Sequence, residues 1–283
     1  MKEKIALFIK GIILGIAFII PGVSGGSLAV LLGIYEELIE AISNFYKSFD
    51  SFKKYFTYIL PIGLGALASL LIFARIIKIG LESAPIVTIL IFLGLILGGI
   101  PKLFKEVNTK IELKHLSLML IGIIIVLLML IIDKKSDSVS LVNLGVIDYF
   151  KLFVVGMIAS ATMVVPGISG SFTLMLIGYY EPILGVINNI TSFNNLGDNL
   201  LLLLPFILGV VAGIILIAKL INYLLNKYRN ATYFVIIGFV LASVISILFE
   251  VFKLEFNTTH LIIGTILLVV NTVLIYKVSG KIE

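Results

Sequence analysis

Two short stretches rich in serine and glycine stand at matching places in the chain, and both could bind an anion. Residues 21–36 read PGVSGGSLAVLLGIYE and residues 166–181 read PGISGSFTLMLIGYYE, with eight of sixteen positions identical. Each Pro-Gly-x-Ser-Gly element breaks an apolar helix, and a new helix is expected after Gly26 and after Ser171. The first backbone N–H groups of such a helix have no intrahelical acceptor and lie at the positive end of its dipole, where phosphate binds readily.

Hydroxyl groups add further donors at both breaks, and the glycines let a ligand approach the backbone closely. Kinked packing helices with serines bonded to their own backbone would explain a single break. Two equivalent breaks favour a ligand site, because irregular backbone at membrane depth is tolerated only inside protein or beside a cavity. The predicted anion-binding residues are Gly22, Ser24, Gly25, Gly26, Ser27, Gly167, Ser169, Gly170, Ser171 and Thr173.

Two cations and two carboxylates also occupy matching positions in the two halves. Arg75 and Lys219 each end a long apolar stretch. They could extend to the lipid headgroups, or they could pass a lipid phosphate to the breaks, so both are included in the predicted substrate site. Glu36 and Glu181 follow the breaks by about ten residues, or about 15 Å along a helix. They are either solvated helix ends or a proton-coupling pair.

The composition predicts a polytopic helical membrane protein without catalytic chemistry. Of the 283 residues 60% are hydrophobic and 13% are charged, about half the charged fraction of a soluble domain. The chain has no cysteine and two histidines, which excludes thiolate and His-rich metal sites. The sequence contains no nucleophile–base constellation, so we expect no enzyme activity, no cofactor and no metal. A net charge of +5 is too small and too scattered for a nucleic-acid surface.

The internal repeat extends along the whole chain and predicts two halves of one design. The flanking segment 5–20 makes about 24 Å of helix, whereas the hydrocarbon core is about 30 Å thick. Each break is therefore expected to be the tip of a re-entrant or broken helical hairpin, with one returning segment at 27–42 and one at 172–187. The predicted units are repeat 1 (1–132, tip at 21–27), a linker (133–148) and repeat 2 (149–283, tip at 166–173). The further transmembrane helices are predicted at about 55–74, 85–100, 115–132, 200–218, 231–249 and 261–276.

Three crossings in each half would invert the second repeat relative to the first. Most of the 21 Lys and Arg residues then fall on one side of the membrane, which the positive-inside rule assigns to the cytoplasm together with both termini. The predicted fold is an all-α polytopic protein of the cytoplasmic membrane, built from two inverted-topology repeats. Whether the hairpins cross fully and whether the protein forms a homodimer are left open.

The paired tips, the continuations LLGIYE and LIGYYE and the chain length resemble the PopT-type polyprenyl-phosphate transporter family. The resemblance covers essentially the whole chain, and the doubled motif is fairly specific. It implies transport of undecaprenyl phosphate, the lipid carrier of bacterial cell-wall synthesis, from the outer to the inner leaflet. The family motif corresponds here to Pro21–Ser27 and Pro166–Thr173. The two tips differ, because Ser171 replaces Gly26 and Phe172 replaces Ser27, so one tip is expected to bind phosphate more strongly than the other.

The functional hypothesis from the sequence is a flippase for a polyprenyl-phosphate lipid. A secondary transporter of a small soluble anion could use the same tips, and an apolar slot open to lipid would distinguish the flippase from it. An intramembrane lipid phosphatase is a third hypothesis, and the lack of an acid–base pair argues against it. The tail length of the lipid and the driving ion are not predicted.

Overall fold

The computed structural model describes residues 2–19, 24–107, 109–131, 139–141 and 144–279. Within these residues the chain is all-helical and has no strand, which confirms the predicted all-α class. The twelve described helices are α1 (Lys2–Ile19), α2 (Gly25–Leu31), α3 (Tyr35–Asn44), α4 (Phe49–Ser83), α5 (Pro85–Lys105), α6 (Leu113–Ile131), α7 (Val146–Val164), α8 (Gly170–Leu176), α9 (Tyr180–Thr191), α10 (Leu196–Lys227), α11 (Arg229–Lys253) and α12 (Thr258–Ser279).

Six of the described helices are long and apolar enough to cross a membrane. They are α4, α5, α7, α10, α11 and α12. The helices α4 and α10 are longer than the apolar runs at 55–74 and 200–218, because the polar residues that flank each run continue the same helix. The chain is therefore a multi-pass helical protein, as its composition indicates.

The order of helices is the same in both halves, and the halves interlock. In each half the first helix packs along the fourth, so that α1 lies against α4 and α7 lies against α10. The fifth and sixth helices instead pack across the halves, with α5 against α12 and α6 against α11. The largest apolar core draws its buried residues from both halves, and α11 alone contributes seven of them. The buried core is therefore shared by the two halves.

The segment that follows each break is two helices rather than one. A turn at residues 32–34 separates α2 from α3, and a turn at 177–179 separates α8 from α9, which are bent by 115° relative to each other. Gly33 (φ +66°) and Gly178 (φ +75°) stand in the left-handed region at these turns. The N–H of the following residue donates five residues back in both cases, over 3.0 Å in repeat 1 and 2.9 Å in repeat 2. These are Schellman motifs, which end a helix at glycine. The single segments expected at 27–42 and 172–187 are therefore each divided.

Glycines allow the first and fourth helices of each half to approach closely. A Cβ atom at Gly65 would overlap the Phe8 carbonyl oxygen of α1, and one at Gly11 would overlap the Ile62 carbonyl oxygen of α4. Repeat 2 shows the same arrangement between α7 and α10, where Gly209 faces the Phe153 carbonyl. Small residues at such crossings bring two backbones into contact, which is how helices associate inside a membrane.

We expect Gly65→Ala to destabilise the protein by about 1–3 kcal/mol, because the added methyl group must push α1 away from α4. Thermal unfolding of purified protein in detergent measures this as a midpoint lowered by several degrees. The matched control is Gly63→Ala in the same helix, where a Cβ atom would meet nothing within 4 Å. Equal midpoints for the two variants would contradict close packing of α1 on α4.

Candidate functional site

The two predicted tips lie in direct contact, so the candidate site draws on both repeats. The Ser24 hydroxyl accepts a hydrogen bond from the Gly167 N–H over 3.0 Å. A Cβ atom at Gly26 would stand 2.9 Å from the Val164 carbonyl oxygen at the end of α7. Since these groups belong to residues about 140 positions apart, the contact depends on the whole fold. Each tip therefore provides hydrogen-bonding or packing partners for the interrupted backbone of the other tip.

A first cavity of about 480 Å³ opens beside the joined tips. Its apolar wall is formed by α7, α9 and α10 together with Phe18 and Ile19 at the end of α1. Met163, Leu184 and Ile187 of this wall are exposed at the surface of the protein. The polar groups that line the first cavity are Ser24, Ser160, Ser169, Ser171 and Tyr180.

A second cavity of about 400 Å³ lies on the other side of α8, facing α5, α6 and α11. Ser169 and Ser171 line both cavities, and their hydroxyl oxygens are 2.8 Å apart. Ser246 and Glu250 of α11 add polar groups to the second cavity. None of the described residues that line either cavity is Lys or Arg. An anion between the two cavities would therefore be held by hydroxyl and backbone N–H donors.

The two tips differ in how their first serine is used. Ser24 caps α2, because its hydroxyl accepts from the Ser27 N–H over 3.4 Å in addition to the Gly167 N–H. Ser169 stands at the same place before α8 but makes no side-chain cap, and its hydroxyl instead contacts Ser171. The hydroxyl of Ser24 is thus engaged within the protein, whereas the Ser169–Ser171 pair borders open space. The two tips therefore differ in geometry, and stronger phosphate binding at one of them stays a prediction.

The other predicted tip residues lie around the cavities or behind them. Gly25 and Gly170 line the first cavity, and Gly167 lines the second. Thr173 is buried, and its hydroxyl donates to the Ser169 carbonyl over 3.1 Å, so it supports the first turn of α8. Ser27 is fully buried, with no hydrogen-bond partner for its hydroxyl in the described part of the chain. Gly22 lies outside the described residues.

The structure does not bring the predicted cations to the tips. Arg75 is exposed on α4 and lines neither cavity. Lys219 is exposed on α10, and its ammonium group lies 4.7 Å from the centre of the Tyr46 ring in a cation–π contact. Their part in substrate capture stays a prediction.

The two predicted carboxylates have different surroundings. Glu36 stands in the first turn of α3 and forms an ion pair of 2.6 Å with Arg229. Glu181 stands in the first turn of α9 and is exposed. The turns at Gly33 and Gly178 also remove both carboxylates from the line of the tip helices, so the distance of about 15 Å along one helix does not apply. A proton-coupling role for the pair stays a prediction.

Sequence reasoning missed several polar groups at the site. Tyr180 lines the first cavity, whereas Tyr35, at the matching position, is buried and donates its hydroxyl to the Val164 carbonyl over 3.2 Å. Both tyrosines are among the identical positions of the repeat, and that identity could have indicated a role at the site. Ser160 and Ser246 lie within apolar helices and outside the repeated motif, so no sequence pattern indicates that they line a site. The Arg229 contacts join residues far apart in the chain.

A joined pair of tips between apolar walls is suited to hold a small anionic group attached to an apolar chain. Serine hydroxyls and the first N–H groups of α8 would be the donors to such a group, and hydrogen bonds to an anion are stronger than those to neutral groups. The described residues contain no group of three or more side chains that could hold a metal ion.

The chain matches a family model described as VCA0040-like, undecaprenyl phosphate translocase-like, over residues 14–262. A polyprenyl-phosphate transporter of Staphylococcus aureus is 34% identical over 244 residues, which cover 84% of this chain and 84% of that protein. A polyprenyl-phosphate transporter of Vibrio cholerae is 29% identical over 250 residues, covering 84% of this chain and 76% of that protein. No solved structure matches the chain. The chain belongs to the undecaprenyl phosphate translocase-like family, which confirms the resemblance seen in the paired tips.

The contact between the tips predicts that cysteines at Ser24 and Ser169 can be joined by a short thiol crosslinker. The chain has no cysteine of its own, so no background reaction arises. The pair Ser24→Cys and Ser169→Cys should shift in electrophoretic mobility after treatment with the crosslinker. The pair Ser24→Cys and Ser117→Cys, the second of which is exposed on α6, is the control. Failure of the first pair to react with any short reagent would contradict the joined site.

Proposed function

We propose that this member of the family moves a polyprenyl-phosphate lipid, of the undecaprenyl phosphate type, from the outer to the inner leaflet of the cytoplasmic membrane. Such a carrier has to bind one phosphate group and leave room for an apolar tail. The names of the two relatives support the class of substrate. The direction of transport is part of the proposal, because recycling of the lipid carrier requires its return to the cytoplasmic leaflet.

One observation carries this proposal, namely the position of Ser169 and Ser171 on the border of both cavities. Their hydroxyl groups are 2.8 Å apart and face space with mainly apolar walls. We assign the phosphate to this pair, to the first N–H groups of α8 and to Ser24 across the tip contact. Gly25, Gly167 and Gly170 keep side chains out of the space that the phosphate needs. Three tip residues do not line the cavities and would instead stabilise the tips, namely Gly26, Ser27 and Thr173. Gly22 is also included in the proposed site.

The tail would leave the site through the apolar wall of the first cavity. A cavity of about 480 Å³ accommodates the phosphate and the first part of a long isoprenoid chain but not the whole of it. The remainder would lie in the bilayer, which the exposed side chains of Met163, Leu184 and Ile187 would contact. This apolar opening favours a lipid over a small soluble anion as the substrate.

The membrane arrangement that suits this function is a pair of inverted repeats with both termini in the cytoplasm. Each half would contribute a re-entrant hairpin, α1–α3 or α7–α9, whose tip reaches the middle of the membrane. The equal order of helices in the two halves and the joined tips support this arrangement. Inverted repeats place one substrate site between two equivalent units, so that it can be reached from either side.

Ser169→Ala and Ser171→Ala should each weaken the binding of polyprenyl phosphate by roughly tenfold. Each change removes one donor to a charged group, worth about 1.5–3 kcal/mol, and about 1.4 kcal/mol is a factor of ten. Binding of a fluorescent polyprenyl phosphate to purified protein measures the effect. Ser117→Ala, an exposed serine on α6, is the matched control and should bind as the original protein does.

The uncharged polyprenol with the same tail distinguishes an anion site from a tail site. It should bind weakly to the original protein and be unaffected by either serine change. Inorganic phosphate should compete poorly, because it lacks the tail. Equal binding of the alcohol and the phosphate would refute the assignment of the phosphate to the tips. Strong competition by inorganic phosphate would instead indicate a carrier of soluble anions.

Arg75→Ala and Lys219→Ala should affect transport from opposite leaflets. In the inverted arrangement Arg75 lies towards the outer face and Lys219 towards the cytoplasmic face, where each could attract a lipid phosphate. In proteoliposomes of known orientation, we expect Arg75→Ala to slow capture from the outer leaflet and Lys219→Ala to slow capture from the inner leaflet. Negligible effects of both changes would show that these side chains only anchor their helices at the headgroups.

A further inference from the structure

The two hairpins pack differently on the helices that surround them. All seven residues of α2 are buried, and α2 packs against α5 and α7. In α8, the matching helix, only Gly170 and Thr173 are buried, and the second cavity lies between α8 and α11. Likewise α3 packs on α10, whereas the described residues show no comparable packing of α9 on α4. The α2–α3 hairpin is closed against α5, α7 and α10, whereas the described residues of the α8–α9 hairpin stand apart from the matching helices α11, α1 and α4.

Matching residues show the same difference individually. Val30 on α2 is 6% exposed, whereas Met175, at the matching position of α8, is 38% exposed and lines both cavities. The Tyr35 hydroxyl donates to the Val164 carbonyl. The corresponding pair in the other half, Tyr180 and Ile19, lines the first cavity. The first cavity therefore lies where Tyr180 would contact Ile19 if the two halves had the same packing.

A cluster of four side chains lies on the closed hairpin. The Arg229 guanidinium pairs with Glu36 of α3 over 2.6 Å and with Glu106, which directly follows α5, over 3.2 Å. The Tyr233 hydroxyl donates a hydrogen bond to Glu36, and the Tyr233 ring lies 5.1 Å from the guanidinium carbon. This Arg229 cluster joins the start of α3 to the end of α5 and the start of α11, so it crosses the boundary between the halves.

The positions that match the cluster in the other half contain no cation. Pro85 corresponds to Arg229, Ile89 to Tyr233 and Glu250 to Glu106, and all three line the second cavity. Glu181, which corresponds to Glu36, is exposed. Two matching carboxylates are thus present in each half, but the arginine that joins them exists in one half only. The difference lies in the sequence and is independent of the conformation of the protein.

We propose that Arg229 is a gating residue that holds the α2–α3 hairpin closed against the other half, and that the structure is one of two end states of transport. Release of the Arg229 cluster would open the space beside α2, while the α8–α9 hairpin would close on α11 with Tyr180 bonded to the Ile19 carbonyl. Glu250 instead pairs with Lys253 of the same helix over 2.9 Å. Because Pro85 stands at the position of the arginine, that second state has no guanidinium that could join Glu181 to Glu250. The protein therefore rests with the α8–α9 side open. This inference rests on the proposed transport function.

Two single-cysteine reporters test the gate. Met175→Cys lies on the open side and should react quickly with a water-soluble maleimide, whereas Val30→Cys should react slowly. Arg229→Ala should raise the rate at Val30→Cys by roughly tenfold, because hydrogen bonds to charged groups shift a two-state equilibrium by that order. The same change should lower the rate at Met175→Cys. Glu36→Gln should act in the same direction, and Arg229→Lys should fall between the original protein and Arg229→Ala, since an ammonium group cannot form both planar contacts.

The matched control is Lys227→Ala, which removes a nearby cation whose contacts are with Tyr223 and Tyr228. It should leave both reporters unchanged. Opposite changes at the two reporters support the gate, because a merely structural role for Arg229 would raise both rates together. Parallel changes, or no change, would overturn the proposal. Labelling is measured without substrate, so the result is independent of whether the tips bind polyprenyl phosphate, which the Ser169 and Ser171 variants test separately.

Discussion

The structure depends on one constraint, which is that broken backbone inside a membrane must find its polar partners within the protein. The interrupted helices leave N–H and carbonyl groups that hydrocarbon cannot satisfy, at a cost of several kcal/mol each. The Ser24 hydroxyl meets part of this requirement in its own tip and part in the opposite tip through Gly167. The two tips therefore meet through this hydrogen bond, and the proposed anion site lies at the place where they meet.

The helices around the tips form a support that leaves the hairpins free to differ. Beyond the glycine contacts within each half, α5 and α12 are joined across the halves by the Thr272 hydroxyl, which lies 3.3 Å from the Gly94 carbonyl. Gly122 and Gly238 bring α6 and α11 equally close. These crossings are alike in the two halves. The hairpins resting on them are not alike, which locates the difference between the two sides in α2–α3 and α8–α9 rather than in the long helices.

Much of the architecture could be predicted from the sequence because it follows from local patterns. The apolar runs indicate the helices, and the repeated motif locates both breaks and the serines beside the cavities. The turns at Gly33 and Gly178 were missed, although both glycines are identical in the repeat, because an apolar run does not reveal a left-handed residue within it. The Arg229 cluster could not be predicted, since Glu36 and Arg229 are 193 positions apart. Nor could the unequal packing of the two tips be predicted, because it depends on how the halves fit together.

None of the described residues that line the two cavities is Lys or Arg, and this has an electrical consequence for the proposed transport. A phosphate held only by hydroxyl and N–H groups would keep its full negative charge during the crossing. The cytoplasm of a bacterial cell is negative, so inward movement of that charge costs about 2.3 kcal/mol per elementary charge for each 100 mV. In the proposed inward transport the protein supplies no counter-charge at the site. The work must then come from a proton or another cation that travels with the lipid, or from a higher concentration of the lipid in the outer leaflet.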